Sequence, residues 1–187
     1  LNTSASISLY TAATSDVAIY DNAKVGRLKA TGEDALDLLN RLSTNLVLDI
    51  DEGQGTHTVL TTDRGRILDI VTVTNVGGHF LLLTSPEEAE TVVKWLHKYT
   101  IMEDLEVENI TNDTTFISMV GPSSLSRLEN LSGISLSGFK DYSVINGSLA
   151  GQEISIIVRP LGNLPCFDIL AQIESKEALL NLFSESG

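Results

Sequence analysis

Gly55-Thr56-His57-Thr58-Val59-Leu60-Thr61-Thr62-Asp63-Arg64-Gly65-Arg66-Ile67-Leu68-Asp69-Ile70-Val71-Thr72-Val73-Thr74 reads as a β-hairpin. Two runs rich in Thr, Val, Ile and Leu, roughly residues 55–62 and 66–74, flank the turn Asp63-Arg64-Gly65. The glycine supplies the backbone freedom that a tight turn needs. Asp69 stands inside the apolar run Ile67-Leu68-Asp69-Ile70-Val71. An unpaired charge there would be costly. Strand alternation leaves two readings open: a solvated acid on the polar face, or an acid reserved for a ligand.

Outward from the hairpin, strands and helices alternate irregularly. Short β-type runs at residues 17–20 and 25–29 precede Thr31-Gly32-Glu33-Asp34, where Thr31 suits an N-cap with Asp34 three residues on. Leu36, Leu39 and Leu42, with Leu38 beside them, then give one apolar helical face. After the hairpin, Gly77-Gly78 leads into a strand at 79–83, and Pro86 suits the first turn of a helix with Glu87, Glu88 and Glu90 near its positive end. On that helix Val92, Val93, Leu96 and Tyr99 face a core, with Trp95 as an anchor. Further β-type runs at 105–110 and 115–120 precede a short helix from Gly121-Pro122-Ser123 to Leu131. Strands at 142–145, 154–158 and 167–171 and a helix over 176–183 follow. This pattern predicts an α+β fold of mixed or antiparallel sheets with flanking helices, because alternation is too irregular for a doubly wound sheet. A seam near residues 108–114 divides it into subdomains 1–110 and 111–187.

Composition narrows the function. The 187 residues, 42% of them hydrophobic and 20% charged, suffice for a real core. Twelve basic against 25 acidic side chains give a formal charge of −13, which opposes nucleic-acid binding through phosphate neutralisation. No apolar run approaches the ~18 residues of a membrane span. A single cysteine, Cys166, excludes an internal disulfide; it reads as a small buried hydrophobe in a reducing cytoplasm. His57, His79 and His97 lack metal-ligand spacing. A chain that begins at Leu1 and ends soon after a helix reads as a fragment or a processed chain.

Three segments, in order, carry a resemblance. Leu28-Lys29-Ala30-Thr31-Gly32-Glu33-Asp34-Ala35, continuing to Leu42-Ser43-Thr44-Asn45, is similar to the "V-x-G-x-D-A-x-x-F-L-x-x-L-x-T-N" helix of the glycine-cleavage T-protein (aminomethyltransferase) superfamily. The hairpin over 55–69 resembles that family's glycine-containing turn and acid-bearing strand. Ile117-Ser118-Met119-Val120-Gly121-Pro122-Ser123 resembles its strand ending in "G-P". The resemblance covers roughly residues 17–131, the front portion of such a protein, and leaves out the family's C-terminal barrel.

The resemblance implies a T-protein-like folate-binding fold, with tetrahydrofolate as cofactor. It makes Asp69 the catalytic candidate and a folate contact, because Asp69 matches the first acid of the family's "I-x-D-D"; Ile70 replaces the second. Leu83, Thr84 and Ser85 stand where catalytic members carry "V-N". Asp168 stands for the last acid of "G-Y-T-G-E-x-G-F-E", although Arg159-Pro160-Leu161-Gly162-Asn163-Leu164-Pro165 has lost the glycine-rich turn. Arg64 and Arg66, otherwise readable as solvated, suit the anionic polyglutamate tail. Asp63-Arg64-Gly65-Arg66 also resembles the turn of the YgfZ-type branch, which implies folate-dependent iron–sulfur cluster maturation. A third implication is a non-catalytic subunit with a protein partner, like the gamma subunit of sarcosine oxidase.

Overall fold

The computed structural model describes residues 10–185. Residues 10–15 are helical and lead into β1 (Ala18–Asp21). Next come β2 (Val25–Thr31), α1 (Ala35–Leu42), β3 (Gly55–Thr61), β4 (Ile67–Asn75), β5 (Phe80–Pro86), α2 (Ala89–Tyr99) and β6 (Glu106–Asn109). The chain continues through β7 (Thr114–Val120), α3 (Ser124–Ser132), β8 (Val144–Leu149), β9 (Gln152–Val158), β10 (Cys166–Gln172), a 3₁₀ turn at Ile173–Ser175 and α4 (Lys176–Glu185).

These elements form two compact units. One comprises residues 23–113 with 142–144 and holds a sheet of order β3-β4-β5-β2-β6. The other comprises the segment up to 22, residues 114–141 and those from 145 onward, and holds a sheet of order β1-β7-β10-β9-β8. Thus β1 crosses the chain to pair with β7, Ile19 opposite Met119. β3–β4, β4–β5, β2–β5, β2–β6, β1–β7, β7–β10 and β9–β10 all pair antiparallel. The fold is the α+β arrangement of two sheets with flanking helices.

In the 23–113 unit, one sheet face supplies Leu28, Ala30, Leu60, Val71, Val73 and Leu82 to a core completed by Leu39 of α1 and Ala89, Val92 and Leu96 of α2. In the other unit Ile117, Met119, Ile154, Ile156, Phe167 and Ile169 pack with Leu128 of α3 and Leu179 and Phe183 of α4. Burial of such a side chain contributes about 1.5–3 kcal/mol, so these two faces dominate stability.

Three local expectations are corrected. Thr31 does not cap α1; it ends β2, paired with Glu106. Gly32 follows at φ +112°, where a Cβ would lie 2.0 Å from the Asp104 carbonyl oxygen. The Asp34 carboxylate accepts the Asp104 N–H at 2.8 Å, and Asp104 accepts the Glu33 N–H at 3.1 Å, so the helix entry is clasped to the distant loop. Pro86 lies in β5 opposite Val25, not in the first helical turn. Glu87 breaks the path at φ 69°, its N–H donating to the Lys24 carbonyl at 2.9 Å, and α2 starts at Ala89. Trp95 is half-buried on the flank of α2, its ring 4.6 Å from that of Tyr99, while Leu96 enters the core.

Candidate functional site

The β3–β4 hairpin carries Asp69 on the core-facing side of its strand, in alternation with Val71 and Val73. Asp69 is 4% exposed, whereas Ile70 is 53% and Ile67 68% exposed. The solvated-acid reading therefore fails at this position. Each carboxylate oxygen of Asp69 accepts a backbone N–H: Oδ1 from Ile70 at 2.8 Å and Oδ2 from Ser85 at 2.9 Å. The described β4–β5 pairing ends at Thr72 and Leu83. Beyond it, the side chain of Asp69 takes over the ladder and fixes the exit of β5. A bulge between Leu60–Asp69 and Thr61–Ile67 accompanies the change.

Leu83, Thr84 and Ser85 sit at that same strand end. Leu83 pairs with Thr72 and Arg27, on the opposite face from Leu82. The Thr84 hydroxyl donates to the Ser85 carbonyl at 3.0 Å. A Cβ on Gly26 would lie 2.2 Å from Thr84 Oγ1 and 2.7 Å from Ala89 Cβ, so glycine lets β2 approach both. Asp69, Thr84 and Ser85 thus come together, and Leu83 turns to the other side of the sheet. Arg64 and Arg66 are exposed on the turn, with no ion pair to either among the described residues.

Asp168 belongs to the other unit, on β10. It is 1% exposed, and its Oδ1 accepts from the Ser118 hydroxyl at 2.5 Å and from Arg159 Nη2 at 3.1 Å. Arg159 Nε lies 2.6 Å from Oδ2, an ion-pair contact outside hydrogen-bond alignment. Asn22 Nδ2 donates to Ser118 Oγ at 3.0 Å and extends the network to the end of β1. Burial pushes the Asp168 carboxyl up more strongly than Arg159 and Ser118 hold it down. Burial is the largest single influence on Arg159 and would lower its pKa, but Asp168 and Cys166 together outweigh it and the net shift is upward. Cys166 is buried, and burial above all drives its thiol up to about 12.

Sequence reading missed Ser118, Asn22 and the part played by Arg159. Cross-strand pairing at a separation of 50 residues brings Ser118 to Asp168, and no local pattern announces it. It also missed Arg27, which is 1% exposed and donates to the Ala23, Val25 and Thr111 carbonyls. The apolar strand neighbours of Arg27 were the available signal. Among the described residues no group of three or more His, Cys, Asp and Glu gathers as metal ligands. None of the described helices is long and apolar enough to cross a membrane. An open cleft of about 270 Å³ lies elsewhere, lined by Asp16, Ser123, Ser126, Arg127, Asn130 and Leu131, and includes none of the predicted residues.

Residues 4–161 match the family model of the GCVT N-terminal domain. The chain is 24% identical over 160 residues to an aminomethyltransferase of Thermotoga neapolitana, covering 85% of this chain and 44% of that protein. It is 21% identical over 173 residues to an aminomethyltransferase of Flavobacterium psychrophilum, covering 91% and 48%. It spans about half the length of these curated relatives. The fold resembles that of glycine cleavage system aminomethyltransferase T from Bartonella henselae (TM-score 0.82, 16% identity, 93% of this chain and 47% of that one). It also resembles a chain of the heterotetrameric sarcosine oxidase of Corynebacterium sp. U-96 (TM-score 0.70, 14% identity, 96% and 89%).

Proposed function

The chain belongs to the GCVT N-terminal domain family, and from that membership we propose that it binds tetrahydrofolate, with Asp69 as the polar group around which the site is organised. The family match over residues 4–161 carries this reading; the aminomethyltransferase relatives support it. A reduced pterin needs an apolar wall and polar groups of fixed direction. The exposed Ile67 and Ile70 suit the wall. The carboxylate of Asp69 holds Ser85 and Ile70 by their N–H groups, which suits a positioning role at the strand end. In this proposal Leu83, Thr84 and Ser85 shape the same end of β5, and Arg64 and Arg66 attract the ligand's glutamates; Asp168 is a separate candidate within its own unit.

The same proposal favours binding over one-carbon transfer. Position 70 presents its side chain outward, and in this chain it carries isoleucine instead of the second acid. An acid or base near the folate amines is what transfer requires. A YgfZ-type role in iron–sulfur cluster maturation, suggested by Asp63-Arg64-Gly65-Arg66, is the finer form of the reading, with the cytoplasm as its setting.

The test is calorimetric titration of 5-formyl-tetrahydrofolate into wild-type protein and Asp69→Ala. Micromolar binding, weakened at least about tenfold (about 1.4 kcal/mol) in the variant, is expected. No heat from either protein would sink the folate reading. A second reading, a subunit of a larger assembly, is favoured by the sarcosine oxidase neighbour, which matches this chain over 89% of its own length. Copurification of a larger chain in fixed stoichiometry would support that reading; a monodisperse monomer from the native source would count against it.

A further inference from the structure

We infer that Arg159, aimed by Asp168 and Ser118 of its own unit, is a carboxylate-binding residue for ligands of the chemical class proposed above. The inference rests on that reading for the ligand's identity, and on the geometry of one unit for the residue.

Arg159 follows β9 directly, and its N–H donates to the Cys166 carbonyl at 3.0 Å, so the β9–β10 ladder runs one step past Val158. Pro160 follows it and restricts Arg159 to extended backbone. Register fixes the rest. Asp168 lies opposite Ile157 and Ser118, and Cys166 lies opposite Val120. The core cluster takes Ile117, Met119, Phe167 and Ile169, the alternate positions of the same strands. Ser118, Asp168 and Arg159 therefore form a polar row across β7, β10 and the extension of β9, on the sheet face turned away from the unit's own core.

Within that row the carboxylate and the guanidinium are not equivalent. Asp168 is 1% exposed; Oδ1 accepts two hydrogen bonds and Oδ2 lies against Nε, so its oxygens already face donors. It has little left to offer a ligand. The Arg159 side chain is 33% exposed, the Cys166 sulfur lies beside its guanidinium, and no oxygen acceptor among the described residues engages its Nη1. A planar fork gripped along one edge presents the other in a fixed direction, which suits a carboxylate oxygen. Holding the rotamer before the ligand arrives lowers the entropy cost of binding. Asp168, expected to touch the ligand itself, becomes the residue that positions the arginine.

The experiment follows the Arg159 Nε–H resonance in ¹⁵N-labelled wild-type protein, assigned by its loss in Arg159→Lys. The probe is p-aminobenzoyl-glutamate, with 6-methyltetrahydropterin, which has no carboxylate, as control. A saturable shift with the first and none with the second is expected. The double variant Arg159→Gln/Asp168→Asn removes both charges, so no lone buried carboxylate endangers the fold. It is expected to keep its circular dichroism and to bind the probe at least tenfold more weakly. An unmoved Arg159 resonance up to millimolar probe overturns the inference, whether or not 5-formyl-tetrahydrofolate binds elsewhere. Movement of Arg159 with the probe, without binding of 5-formyl-tetrahydrofolate, would uphold the carboxylate site and sink the folate reading alone.

Discussion

Asp69 is buried beside the valines of its own strand, yet both its oxygens are satisfied by backbone N–H groups. Replacing it with alanine orphans the N–H of Ser85 and of Ile70. A buried unsatisfied donor costs about 1–3 kcal/mol, so Asp69→Ala is expected to lose roughly that much stability in urea denaturation; an unchanged midpoint would remove its structural role. Cys166 makes a pH prediction. Burial raises its thiol from the ordinary 9.0 to about 12, so in that window the unfolded chain loses a proton that the folded chain keeps. The contribution is fully present below pH 9.0 and is lost as pH rises toward about 12. Wild-type protein is expected to lose stability over this range more steeply than Cys166→Ala. Equal slopes would contradict the assignment, as would rapid labelling of the native thiol at pH 8.

At the scale of elements, the edge of β3 is covered by the segment that follows α1. Ser43 bridges to Leu60, the Thr44 N–H donates to the Val59 carbonyl at 3.1 Å, and Asn45 Nδ2 donates to the His57 carbonyl at 2.9 Å. An unprotected edge strand templates aggregation. Asn45→Ala is expected to cost about 1 kcal/mol and to raise light scattering on heating; scattering identical to wild type would contradict this account of the edge. The helices and most strands were legible because apolar periodicity and turn residues lie within a few positions of one another. The clasp of Asp34 on Asp104 was not, because its partners are 70 residues apart. The inward turn of Asp69 was likewise hidden: alternation defines two faces but does not say which receives the helices, and only the packing of Val71 and Val73 against α1 and α2 decides.

At the scale of the molecule, the α+β class was readable from the irregular alternation of strands and helices and the family from three motifs in order, whereas the pairing of β1 with β7 was not, since register between strands about 100 residues apart leaves no local trace. Of the candidate residues, Asp69 and Ser85 were named from sequence and are joined by one hydrogen bond, whereas Asp168 was named without its partners Ser118 and Arg159. A charge of −13 repels itself when unscreened. Raising sodium chloride from about 10 to about 200 mM, which shortens the screening length from ~30 Å to below 10 Å, is therefore expected to raise Tm; a fall would show that attractive pairs dominate. The central claim is that a reduced folate sits at the strand end held by Asp69. Its most direct test is a ¹⁵N–¹H correlation spectrum of the chain titrated with tetrahydrofolate. Saturable shifts centred on the amides of Ile70 and Ser85, the two donors to the Asp69 carboxylate, are the predicted result. Amides at β4 and β5 that stay in place up to millimolar folate would contradict it.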